Sequence, residues 1–138
     1  MNCKTLLVKN QMLELNRVVA YLDELGEEWE LSVPLVFSLN LVVEEALTNI
    51  ILYGFDDQLE HTIEIDFKND LDQLYITFID DGIAYDPTLK EDPDISLSTE
   101  DRQIGGLGIF LIKKIMDKVE YKRKENKNFL ILTKNIIV

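Results

Sequence analysis

The chain of 138 residues has one cysteine, one histidine, three prolines and six glycines. A lone cysteine, Cys3, cannot close an internal disulfide, which agrees with a reducing compartment. Basic residues are scarce: 14 Lys and Arg stand against 26 Asp and Glu, for a net charge of −12. That argues against sequence-independent binding of nucleic acid, which needs clustered cations. An acidic surface suits solubility, a basic protein partner, or a site that recruits a divalent cation. No segment reads as long and charge-free enough to span a membrane. The opening "MNCKTLLVKN" carries too short an apolar run for a secretory signal, so a cytoplasmic protein is expected. Repeats and low-complexity linkers are lacking, and the length suits a single domain over residues 1–138 with a real core.

What the chain does have is clear hydrophobic periodicity. "KTLLVK" reads as a first strand. "NQMLELNRVVAYLDELGEEW" has helical spacing and is expected to end near Gly26. "LSVPLVFSLNLVVEEALTNIILYGF" is the clearest helix, with Ser32 as N-cap, Pro34 in the first turn and Gly54 as its stop. "HTIEIDF" and "QLYITFID" alternate as a hairpin across "KNDLD", and "VEYKRK" and "NFLILTK" form another across "ENKN". A helix is expected over about residues 107–118. The order β-α-α-β-β-loop-α-β-β implies an α+β two-layer sandwich, with a mixed, mostly antiparallel sheet and the helices on one face.

Half of the scarce glycines, Gly105, Gly106 and Gly108, stand together at the mouth of the third helix. Glycine carries an entropic cost, so a cluster needs a reason. Backbone N–H groups at a helix N-terminus, together with the helix dipole, can hold phosphate. A tight turn before a core helix would use the same residues. The familiar nucleotide motifs do not match. No Lys-Ser or Lys-Thr follows the last glycine, as a Walker A loop requires. "ISLSTEDRQI" precedes the cluster instead of a buried strand, and Leu111 stands where a dinucleotide fingerprint needs glycine.

Two further stretches carry chemistry. In "VVEEALTN", Glu45 and Asn49 are four apart and share a helix face. A carboxylate and an amide oxygen so placed can position a nucleophile and a hard cation such as Mg²⁺. Alone, the pair reads more readily as a solvated helix edge, by roughly five to one. In "YITFIDDGIAYDP", Asp80 closes a strand and Gly82 follows. A carboxylate fixed there can accept a hydrogen bond from a ligand amino group, whereas Asp-Gly alone reads more readily as an ordinary turn.

Taken in order, "EEALTN", "DDGIAYDP" and "GGLGIFLIKK" resemble the N, G1 and G2 boxes of the GHKL ATP-binding superfamily, and most closely its anti-sigma-factor serine/threonine kinases. The resemblance covers nearly the whole chain. It implies a histidine-kinase-like ATPase fold that takes ATP and Mg²⁺, with residues 83–104 as a lid. It further implies that Asn49 holds Mg²⁺ and that Glu45 is the general base, whereas Glu44 points about a quarter turn away. Asp80 would read adenine, with Gly82 giving it room. Ala84 stands where the superfamily often has a second glycine. Gly105, Gly106, Leu107 and Gly108 would close on the triphosphate, with Arg102 either offsetting γ-phosphate charge or standing as a solvated lid arginine. Lys113 and Lys114 read as solvated, and His61 as structural.

The function so implied is phosphorylation of a STAS-type antagonist, alternating with capture of a sigma factor or similar regulator by a homodimer. A nucleotide-gated binding module with little phosphoryl transfer is the alternative. A hydrolytic ATPase fragment is disfavoured, because no transducer domain is expected.

Overall fold

The computed structural model describes residues 2–89 and 106–136. Five strands form one sheet in the order β1-β2-β3-β5-β4, and every neighbouring pair is antiparallel. The strands are β1 (Asn2–Lys9), β2 (Thr62–Asp70), β3 (Gln73–Asp80), β4 (Lys118–Lys124) and β5 (Lys127–Asn135). Helices α1 (Glu14–Glu28), α2 (Val33–Tyr53) and α3 (Gly106–Ile115) cover one face. The period-two pattern decides which face. Ile63, Ile65 and Phe67 of β2 and Leu74, Ile76 and Phe78 of β3 are buried, while their neighbours in sequence are not. They form one core with Leu22 of α1, Leu39, Val42 and Leu47 of α2, and Ile109 and Ile112 of α3.

Helix α2 starts as its sequence requires. Ser32 has an extended backbone, and its Oγ accepts from the Leu35 N–H at 3.3 Å. Gly54 caps the other end, its N–H donating to the Ile50 carbonyl. Contrary to the expectation from the sequence, this helix is long and apolar enough to cross a membrane by length and composition, with a mean hydropathy of 1.6. Here its apolar length has another use, because Leu39, Val42, Val43, Ala46 and Leu47 pack into the core.

Helix α1 ends close to its expected stop, just past Gly26. It runs through Gly26 to Glu28, and the bare glycine leaves room for Val36 of α2: an added Cβ would lie 2.5 Å from Val36 Cγ2. The β4–β5 hairpin turns at Glu125 and Asn126, with φ of 54° and 63°. Two successive positive φ values give the turn that matches strand twist.

Candidate functional site

The end of β3, the middle of α2, the start of α3 and the β4–β5 hairpin meet around a cavity of about 380 Å³. That is the low end of the range for small-molecule pockets, about 300–1,000 Å³. Its walls are mainly apolar: Ala46 and Ile50 from α2, Ile109 and Ile112 from α3, Leu130 from β5, with Ile83 and Tyr85 after β3. Its amide and carboxylate side chains are those of Asn49, Asp80 and Asn128, and Tyr53 and Tyr121 add phenol rings to the wall.

Asp80 is only 6% exposed. Its Oδ1 accepts from the Gly82 N–H at 2.9 Å and from Asn128 Nδ2 at 3.0 Å. Burial pushes its pKa up, against those two donors, which pull it down. Gly82 is confined by protein backbone: an added Cβ would lie 2.1 Å from the Gly54 carbonyl oxygen, which also accepts from the Ile83 N–H at 2.8 Å. Room at Gly82 thus lets the β3 exit dock on the end of α2. Gly82→Ala should lower stability by about 2 kcal/mol or more, since backbone must shift. The thermal midpoint should fall by roughly 5–10 °C. An unchanged midpoint would show that the contact at Gly54 yields freely.

Glu45 and Asn49 converge on the start of α3. A Cβ at Gly108 would stand 2.7 Å from Glu45 Oε2 and 3.3 Å from Asn49 Nδ2. So the first turn of α3, whose N–H groups have no intrahelical acceptor, sits against the carboxylate-amide pair. Glu44 is exposed while Glu45 is half-buried, as their angular separation requires.

The backbone of Gly106 and Leu107 opens α3, Gly108 meets the α2 pair, and Ala84 is exposed beside the cavity. Gly105, Arg102 and lid residues 90–104 lie outside the described residues. Lys113 is not simply solvated: its Nζ donates to the Thr88 carbonyl at 3.3 Å, tying α3 to the turn Pro87–Leu89. Lys114 is exposed, its ammonium over the Phe110 ring. His61 stacks on Phe55, with ring centroids 4.3 Å apart, and contacts Asp57 and Asp81. The Asp57 contact, then that to Asp81, raises its pKa. Its contribution to stability is therefore present below the ordinary imidazole pKa and is lost as pH rises through the raised one.

Sequence reasoning missed Asn128, Tyr121 and Arg123. Asn128 carried a signal: it shares the inward phase of β5 with Leu130 and Leu132, and a polar residue in that phase needs a partner. Tyr121 and Arg123 carried none, because exposed edge strands commonly hold such residues.

The family model described as "Histidine kinase-like ATPase domain" matches residues 9–134. The "Serine/threonine-protein kinase BtrW" of Bordetella bronchiseptica is 33% identical over 109 residues, which are 79% of this chain and 75% of that protein. The "Serine-protein kinase RsbW" of Listeria monocytogenes is 31% identical over 102 residues, 71% of this chain but 64% of that protein. A solved histidine kinase domain from Erythrobacter litoralis has the same fold, with a TM-score of 0.56 at 16% identity, over 90% of this chain and 60% of that one.

Proposed function

We propose that this chain, which belongs to the histidine kinase-like ATPase family, is an ATP-dependent serine/threonine protein kinase in a cytoplasmic partner switch. Its substrate is a STAS-type antagonist, and the partner it holds otherwise is a sigma factor or analogous regulator. One observation carries the reading: Glu45 and Asn49 meet the Gly108 turn beside a cavity that ends on the buried Asp80. A base-sized apolar slot with one carboxylate thus adjoins a helix N-terminus, and a second carboxylate stands free of the slot. The two relatives named as kinases support the same chemistry.

The roles follow from position. Asp80 accepts from the adenine amino group. Ile50, Ile109 and Ile112 exclude water around the ring. The α3 backbone receives phosphate charge. Glu45 accepts the proton of the substrate hydroxyl as it attacks in line. The family resemblance, rather than position, adds Arg102 and the lid over residues 83–104, which would close on the γ-phosphate.

Mg²⁺ fits the donor set in one way only. Among the described residues no cluster of three His, Cys, Asp or Glu could cage it. One amide oxygen, from Asn49, suits an ion that keeps waters and phosphate oxygens as its other ligands. When bound, the ion neutralises charge on the phosphates. Asn49→Ala should therefore weaken ATP binding about tenfold with Mg²⁺ and much less in EDTA, read by calorimetry. Equal losses in both buffers would remove Asn49 from the metal.

The test of the whole reading is transfer of label from γ-labelled ATP to a serine of a STAS-type protein that co-purifies with the chain. Binding of both ATP and that protein without transfer would replace the kinase with a nucleotide-gated binding module.

A further inference from the structure

Asn128 stands directly across from Asp80 in the β3–β5 register, and across from Arg123 in β4–β5. Its amide is saturated. Nδ2 donates to Asp80 Oδ1 at 3.0 Å and to the Ile83 carbonyl at 2.8 Å. Oδ1 accepts from the Tyr121 hydroxyl, and from Arg123 Nη1 at 3.0 Å. Two N–H groups and two lone pairs are the whole capacity of a side-chain amide. Arginine has no acceptor, so a flipped amide would set N–H against N–H at Arg123 and oxygen against the Asp80 carboxylate. Arg123 is itself anchored to the Gly82 carbonyl at 2.8 Å. The hairpin thus permits one orientation of Asn128.

We propose that Asn128, oriented by Tyr121 and Arg123, makes the cavity choose adenine over guanine by fixing Asp80 as a pure acceptor. The inference rests on the nucleotide reading above and names what sets its specificity. Oδ1 is held by the Gly82 N–H and Asn128, which leaves the other oxygen of this cavity-lining carboxylate for a ligand amino group. Among the described residues that oxygen receives no hydrogen bond. An ionised carboxylate there takes the adenine amino group, and with guanine in the same ring pose it repels O6. Loss of Asn128 frees Asp80 to turn and to take up a proton, and a protonated carboxyl can donate to O6.

Other charges bear on that proton. Asp81 favours it and Arg123 opposes it. Tyr121 stands in the cavity wall, and Glu60, His61, Glu64 and Lys127 line a second cleft that Asp80 also borders. For this reason each variant is compared with native protein at the same pH.

The experiment is calorimetric titration of ATP and of GTP, with Mg²⁺, between about pH 5 and pH 8. Native protein should prefer ATP. Asn128→Ala should cut the ATP-to-GTP affinity ratio about tenfold at neutral pH, and by more as pH falls. Tyr121→Phe and Arg123→Ala should shift the ratio the same way by less, and they keep the test open if Asn128→Ala fails to fold. A native preference for ATP that survives in Asn128→Ala, or equal weakening of both nucleotides, overturns the inference and leaves the kinase reading standing. Where only the hairpin variants fold, an unchanged ratio in both overturns it. Native protein that binds neither nucleotide defeats the kinase reading itself.

Discussion

Glu45→Gln should bind ATP with native affinity and lose phosphoryl transfer by a factor of about 10²–10⁴, the range for a positioned general base. The geometry separates the two effects. Asn49 lines the cavity, whereas Glu45, one turn earlier on α2, does not. Its Oε2 instead faces Gly108 at the α3 entrance, where a phosphate chain would emerge from the slot. Glutamine keeps the length and the fit against Gly108 but cannot take a proton. The turnover rate should therefore fall with little change in the Michaelis constant, the pattern of an interaction made in the transition state. Glu44→Gln is the control, because Glu44 is exposed. Rates are read from label transferred to the co-purified antagonist. Native turnover in Glu45→Gln would dismiss the residue as the base, and equal damage in Glu44→Gln would point to a surface-charge effect.

The sheet and helices were legible because burial has a period. In β2 up to Phe67 and in β3 up to Phe78 every second residue is apolar and buried, and a hairpin follows from the turn between them. What the sequence concealed was contact between glycine and backbone. Gly26 reads as a helix stop, and only the nearness of Val36 shows that the bare Cα also serves the packing of α1 on α2. Gly82 reads as room for a ring, and its bare Cα also lets the Gly54 carbonyl approach. Local signals cannot register a neighbour 28 positions away. The same limit hid the hairpin clamp: Asp80 and Asn128 are 48 residues apart and become cross-strand partners only through the β3–β5 register. Glu45 and Asn49 were readable because a helix makes neighbours of residues four apart.

Asp80→Asn should lower ATP affinity about ten- to a hundredfold while leaving GTP affinity unchanged or raised. The two donors on Oδ1 dictate which way the new amide faces. Its oxygen must keep the place between the Gly82 N–H and Asn128 Nδ2, since an NH₂ there would meet two N–H groups. The NH₂ therefore points into the cavity, where it opposes the adenine amino group and suits guanine O6. Leaving a buried donor unpaired costs about 1–3 kcal/mol, which sets the expected factor. Stability should move the other way. Burial raises the Asp80 pKa, so the folded state disfavours its ionised form. A carboxyl with a raised folded pKa withdraws stability as pH climbs from its unfolded value through the folded one. At neutral pH the native protein carries that penalty, and the amide does not. Thermal unfolding of Asp80→Asn at pH 7 should thus occur at or above the native midpoint, with a flatter dependence on pH across the acid range. A lowered midpoint would mean that the lost affinity reflects a damaged fold. Unchanged ATP affinity would remove Asp80 from the base.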